Sequence, residues 1–394
     1  MTDLFTPPRF FKNVPFTRHT DRSIGWLELF YDLVYVATFI QIGNFLSDNL
    51  TLLGFGQFLV LVTIVWWAWT GETFYQNRYF VDDLIHRALV FVQIFAIASI
   101  GLSVSKAFGE LYVQFTLAYV ITRLMLVLMY LRSSKVHPES RAFSRGYVYG
   151  FSIGIAIWLG SLLLPAEIHW VGWLVGITFE LCVPLMPKMR ALARNWPVDI
   201  PHITERFGIF TIIVLGESFV KILDDSQGTA IGAPQFIFSI FGFIVLFSLW
   251  WLYFSDTAEK LVNFSSYRTS FPWVYGHLPL ATSLIAFGVA AKKLYASTLK
   301  YPADPATPEY RLLYTAAIVL FLLALAAIDY GLDADEAREE LIHVVGAVLT
   351  AIFGLVAVGA SPAMYVGVVA VIMATQVGYS IYRERNEEPD SAHH

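Results

Sequence analysis

Residues 25–47 read GWLELFYDLVYVATFIQIGNFLS, and among them only Glu28 and Asp32 carry charge. A helix needs about 20 mostly apolar residues to cross the hydrocarbon core, whereas a barrel strand takes about 10 residues of alternating character. The stretch has the length of the former and no alternation, so it reads as a transmembrane helix. The preceding residues are polar and prolyl, with Pro7, Pro8 and Pro15 and no short apolar core. A cleavable signal peptide is therefore not expected, and this first span is expected to serve as the insertion signal itself.

Further stretches of the same kind lie at 52–71, 85–106, 110–131, 145–165, 168–187, 206–224, 233–255, 272–294, 311–330, 340–358 and 361–382. Turn-forming residues separate them, as in Ser47-Asp48-Asn49, Pro165-Ala166-Glu167, Asp224 to Gly228, and Pro302 through Pro308. At Gly359-Ala360-Ser361-Pro362 the sequence leaves open a kink or a loop. The expectation is an all-α polytopic membrane protein of about twelve transmembrane helices. Composition agrees, with 57% hydrophobic and 14% charged residues where soluble domains run nearer a quarter charged. The lipid bilayer is thus a partner. The net charge of −5 with no Lys/Arg-rich run speaks against nucleic acid. A lone Cys182 excludes a disulfide framework within the chain, and inside an apolar stretch it reads as a small packing residue.

Basic residues favour the cytoplasmic side of membrane proteins. With an even number of spans, Arg9, Lys12, Arg18 and Arg22 share a side with Arg78, Lys135, Arg141, Arg145, Lys188, Arg190, Arg194, Lys260, Arg268, Arg383 and Arg385. Both termini are therefore expected in the cytoplasm, with Asp48 and Asp225 outside. An internal repeat is also suggested. Glu28-Leu29-Phe30 parallels Glu205-Arg206-Phe207, Trp66-Trp67 with Glu72-Thr73 parallels Trp250-Trp251 with Asp256-Thr257, and His86 and His277 begin the next spans. The expected organisation is a cytoplasmic segment 1–24, a six-helix repeat 25–187, a cytoplasmic linker 188–205, a second six-helix repeat 206–382 in parallel topology, and a polar tail 383–394.

Ionisable residues at membrane depth usually face a bundle interior or a watery cavity. Glu28 and Asp32 are four apart and share a helix face. Arg123 and Glu180 lie inside spans, Glu217 sits roughly 18 Å along its helix, and His277 precedes Pro279. An unpaired carboxylate at such depth is expected to take up a proton unless a cation, water or an arginine stands beside it. Asp32 and Arg123 read either as a structural ion pair or as pathway residues. Glu28, Glu72, His86 and Arg87 can snorkel to water, and Lys221 is placed to pair with Glu217 one turn away. Together these residues suggest a polar vestibule on the cytoplasmic side.

His202-Ile-Thr-Glu205 has the i,i+3 spacing of two metal ligands on one face, a weak metal candidate without a second such pair or an HExxH motif. No Gly-x-Ser-x-Gly elbow or P-loop is present, and no cofactor is indicated. The glycines, Gly54 and Gly56 included, read as helix-packing residues.

Trp26-Leu-Glu28-Leu-Phe-Tyr31-Asp32-Leu-Val-Tyr35-Val36, with Gln41 following, resembles the opening signature of the bacterial low temperature requirement A (LtrA) proteins. The likeness continues through Trp66-Trp67, Asn77-Arg78, Asp82-Asp83, Glu205 to Phe207, Leu215 to Glu217, Trp250-Trp251 and Tyr275 to Pro279. Tyr31 and Tyr35 stand where that motif commonly has Phe. The resemblance implies a multi-pass protein of the bacterial inner membrane and a link to growth in the cold, and it leaves the mechanism open. A looser architectural likeness to a family of two-times-six-helix potassium channels does not fix function. The working expectation is a channel or secondary transporter for a small ion or solute, with its pathway between the two halves. Glu28, Asp32, Gln41, Arg123, Glu205, Glu217 and His277 are its ion-binding candidates. The alternatives are a membrane enzyme with a cytoplasm-facing His/Glu site and a non-transporting stress or scaffold protein.

Overall fold

The computed structural model describes residues 24–79, 82–165, 167–224, 232–255, 262, 264, 266–332 and 337–387. Within these residues the regular structure is helical. In chain order the helices are α1 (Trp26–Asp48), α2 (Leu52–Arg78), α3 (Leu84–Ser103), α4 (Tyr112–Val136), α5 (Arg141–Ser161), α6 (His169–Cys182) and α7 (Pro187–Asn195). Then follow α8 (Ile200–Asp224), α9 (Ala233–Tyr253), α10 (Tyr267–Lys300), α11 (Pro308–Tyr330), α12 (Ala337–Val356) and α13 (Pro362–Glu387).

Eight of these helices are long and apolar enough to cross a membrane: α1 to α4, α9, α10, α11 and α13. A ninth crossing arises if α6 and α7, bent by 49° at Met186, are counted as one. The expected twelve spans each coincide with a helix, but α5, α8 and the described apolar part of α12, Leu341–Val356, fall short as crossings by length and composition. Helix α8 does so because Glu205, Arg206, Glu217 and Lys221 interrupt its apolar run.

Two boundaries differ from the sequence expectation, and a third, left open there as a kink or a loop, is a loop. The linker 188–205 holds α7, whose PKMRALARN buries Met189 on one side and exposes Lys188 and Arg194 on the other. Helix α10 starts at Tyr267 and runs through Pro272 and Pro279. His277 is therefore mid-helix, where His86 stands in the first turn of α3. Residues 357–361 form a loop, so α12 and α13 are separate helices. Of the expected landmarks, residues 1–23, Asp225, Asp256, Thr257, Lys260 and 388–394 lie outside the described residues.

The chain divides into two compact units, 1–45 with 55–206, and 46–54 with 207–394. In the first, α3, α4, α5 and α6 pack in sequence, and α7 lies on α5. Buried hydroxyls and indoles tie its helices: Thr38 of α1 donates to the Ile97 carbonyl (3.3 Å), Tyr75 of α2 meets Ser133 of α4 (2.8 Å), and Trp173 of α6 donates to Thr116 (2.9 Å). Asp83 caps α3 by accepting from the His86 N–H at 2.9 Å, and it pairs with Arg132 of α4. In the second unit α10 is the most enclosed helix, packed on α11 and α9, with α12 on α11 and α13 on α9.

Apolar lipid supplies little drive to helix association, so small residues that let backbones approach are what bring helices together. The α5–α6 contact shows this from both sides. A methyl on Gly150 or Gly154 of α5 would meet Val183 or Glu180 at 2.7 Å, and one on Gly172 or Gly176 of α6 would run into Ser161 or meet Trp158 at 2.7 Å. Gly56, by contrast, faces open space and has no such role. Trp158 is fully buried, so it has no room to retreat. Gly176→Val is expected to cost about 1–3 kcal/mol through overpacking. Thermal unfolding in detergent should show a lowered midpoint, and an unchanged midpoint would refute this contact.

Candidate functional site

One face of α1 is buried and polar. Glu28, Tyr31, Asp32 and Tyr35 recur at helical spacing and are 0–4% exposed, whereas Trp26, Phe30 and Leu33 point outward. Opposite them α2 brings Trp69, Glu72, Gln76 and Asn77, and the first turns of α8 bring His202 and Arg206. Asn77 fixes where α8 starts. Its amide donates to the Asp199 carbonyl (2.8 Å) and its oxygen accepts from the Asp199 N–H (2.9 Å). Asp199 in turn caps α8 at the His202 N–H (3.3 Å).

Arg206 is the centre of this cluster. Its Nη2 donates to Asp32 Oδ1 at 2.6 Å, and its Nη1 reaches Gln76 Oε1 at 3.2 Å and Glu28 Oε1 at 3.4 Å. Trp69 Nε1 adds a second bond to Asp32 Oδ1, 2.7 Å long, while Asp32 Oδ2 is buried with no hydrogen-bond partner. Glu72 joins through amides: Gln76 donates to its Oε1 at 2.8 Å and Gln93 of α3 to its Oε2 at 3.3 Å. His202 closes the ring. Asn77 Nδ2 lies 3.2 Å from its Nδ1, and its Nε2 lies 3.4 Å from Glu28 Oε2. The amide N–H donates to Nδ1, which leaves Nε2–H to face the carboxylate.

Two of the three buried carboxylates thus share one guanidinium, and the third, Glu72, is joined to it through Gln76. Burying an ion costs several kcal/mol unless it is paired and hydrogen-bonded. Asp32 and Arg206 satisfy each other, Glu28 is held by Arg206 and His202 at longer range, and Glu72 has only neutral donors among these bonds.

A second buried pair lies elsewhere in the first unit. Arg123 Nε is 2.8 Å from Glu180 Oε2, and the Tyr119 hydroxyl touches both at 2.8 Å. The guanidinium is flanked by the rings of Trp67, Tyr119 and Phe151, whose centroids are 5.9, 5.1 and 5.2 Å away. Here one acid meets one base.

The expected site residues are therefore sorted anew. Asp32 does not pair with Arg123: each has another partner, because the α1 face that carries Asp32 meets the start of α8. Glu28, Glu72 and His86 are 4%, 0% and 5% exposed and do not snorkel, since neighbouring helices cover them; only Arg87 does, paired with Asp82 at 2.7 Å. Gln41 and Glu205 are exposed. His202 and Glu205 are not brought together, because His202 faces inward toward Glu28. Among the described residues no three His, Cys, Asp or Glu side chains are placed to hold a metal ion. Glu217 is half-buried in the second unit, and the Lys221 side chain lies outside the described residues. His277 is buried against Phe207 and Trp273, its Nδ1 2.6 Å from the Trp273 carbonyl and its Nε2 3.1 Å from the Tyr253 hydroxyl. Cys182 is exposed at the end of α6.

Sequence reasoning gave Arg206 no partner and did not single out Gln76, Trp69 or Gln93. The i,i+4 spacing of His202 and Arg206 was the available signal, since it places both on one face. Also missed was a buried contact in the second unit, His343 Nε2 of α12 at 3.4 Å from Asp329 Oδ2 of α11.

Helices of membrane length enclosing buried ionic clusters define a polytopic α-helical membrane protein. The family comparison gives its place within that class. The chain belongs to the bacterial low temperature requirement A (LtrA) family, whose model matches residues 23–377. It is also similar to an uncharacterized protein of Rhizobium meliloti (strain 1021), 26% identical over 321 residues, covering 77% of this chain and 76% of that protein.

Proposed function

We propose that this protein is a channel or secondary transporter for a small ion, with the Glu28–Asp32–Glu72–Arg206 cluster as its ion-binding site. One observation carries the reading: three fully or nearly fully buried carboxylates cluster about Arg206, which contacts Asp32 and Glu28, while Glu72 meets the neutral amides of Gln76 and Gln93. A cluster that only joined helices would be better built as the Arg123–Glu180 pair is, with matched charge. Among the described residues the cluster holds more acids than bases, which is costly at membrane depth, and ionisable groups of this kind mark ion or proton routes. Reconstitution tests it. Proteoliposomes should dissipate an imposed cation or proton gradient faster than empty liposomes, and equal rates across an ion screen would refute transport. The Arg123–Glu180–Tyr119 network, being compensated, is assigned to holding α4 on α6.

The full proposal keeps twelve crossings in two six-helix halves in the bacterial inner membrane. The division of the chain next to Arg206 supports two halves. Cytoplasmic termini are supported by exposed Lys135, Arg141, Arg145, Lys188 and Arg194, which the α5–α7 contact gathers at one end of the first unit. In a Cys182→Ser background, an impermeant thiol reagent added outside intact cells should label a cysteine at Asp48 but not one at Lys135. The reverse pattern would invert the orientation.

A further inference from the structure

Tyr31 and Tyr35 are fully buried on the same face of α1 as Asp32, and their hydroxyl oxygens are 2.9 Å apart. Phenylalanine would fill the same space without burying two hydroxyls, so packing alone gives no reason for the pair. Only one of the two O–H groups can donate within it, which leaves the other proton directed elsewhere. Tyr31 lies within reach of the charges of Glu72 and Arg206, and Tyr35 within reach of those of Arg123, Glu72 and Asp32. Asp32 Oδ2, on that face of α1, is buried without a hydrogen-bond partner.

We propose that the ion handled by the first unit is the proton, held by the Asp32 and Glu72 carboxylates around Arg206 and passed along the Tyr31–Tyr35 hydroxyl pair. This rests on the transport reading above and names its cargo. Two observations favour a proton over a metal cation. The carboxylates do not converge: the Gln76 amide stands between Glu72 and Arg206, and among the described residues no three acidic or histidine side chains are placed to hold a metal ion. A dehydrated metal cation such as Ca²⁺ or Mg²⁺ needs about six oxygen ligands at once, whereas a proton needs one acceptor at a time. Second, protonation is the simplest way to relieve a carboxylate that lacks a cationic partner in a low-dielectric site. The groups that would tune Asp32 are Glu28, Tyr31 and Tyr35 on α1, Glu72 on α2, and Arg206 and His202 on α8.

The transfer balances without any redox partner. Glu72, as the neutral acid, gives its proton to the Tyr31 oxygen as the Tyr31 O–H proton moves to Tyr35 and the Tyr35 proton passes to a carboxylate or water base, Asp32 being the carboxylate near Tyr35, so that Glu72 ends as the anion and the base ends protonated. Each tyrosine gains one proton and loses one, and ends neutral.

Proteoliposomes containing a trapped pH-sensitive dye, given a pH step while sodium and potassium fluxes are followed in parallel, test this. The wild type should collapse the pH step. Tyr31→Phe and Tyr35→Phe should each elute and melt like the wild type yet slow proton flux at least about tenfold, equivalent to about 1.4 kcal/mol on the hopping barrier. Glu72→Gln should slow it similarly. Full proton flux in both tyrosine variants would overturn the relay. Sodium or potassium movement without protons would overturn the proton while leaving transport standing. No ion movement in the wild type would overturn both.

Discussion

Arg206→Gln is expected to be the most destabilising single substitution in the first unit, by about 3–5 kcal/mol, the cost of breaking a buried ion pair from one side. Glutamine can keep the bond to Gln76 and much of the shape, so what is lost is the charge facing Asp32 at 2.6 Å and Glu28 at 3.4 Å. Their desolvation is then uncompensated. Protonation relieves a stranded carboxylate, so the deficit should shrink as the pH falls and be largest at neutral and alkaline pH. Adding Asp32→Asn should recover part of the loss, and a double-mutant cycle followed by unfolding in detergent should give a coupling energy of at least about 1 kcal/mol. Additive losses would mean that the pair is not what holds α1 to α8.

Glu180→Gln should destabilise by about 3 kcal/mol for a different reason. The Tyr119 hydroxyl can still donate to the new amide, but Arg123 loses its counter-charge while fully buried. The surrounding rings are present before and after the change, so their attraction cannot offset it. A purely structural pair can be exchanged for apolar residues of similar volume. Arg123→Met with Glu180→Leu should therefore melt close to the wild type, well above Glu180→Gln alone. A double variant as unstable as the single one would show that the charges themselves are required.

The helices were legible wherever apolar length alone decides, as in α1 to α4, α9, α11 and α13. Helix α7 was not: nine residues with Lys188, Arg190 and Arg194 look like a polar linker, and the burial of Met189 on one side is what the sequence did not show. Pro272 suggested a span beginning there, yet α10 begins five residues earlier. The acidic face of α1 was readable from the i,i+4 spacing of Glu28 and Asp32, because helix geometry fixes which residues share a face. Which basic residue meets that face was not readable. Asp32 and Arg206 are 174 positions apart, and Arg123, equally buried, offered an equivalent charge. Glu72 and His86 near helix ends looked free to reach water, and only the helices packed over them remove that option.

On the proposed reading, the charge on Asp32 carries transport and is not merely structural. The most direct measurement is ion flux through proteoliposomes containing Asp32→Asn beside the wild type at equal protein density, with the melting midpoint of each recorded on the same preparation. Asparagine keeps the size of the side chain and an oxygen to accept from Trp69 and Arg206, and it leaves Arg206 its contact with Glu28. The variant is expected to insert and fold but to lose flux. Wild-type flux from a stably folded Asp32→Asn protein would contradict it.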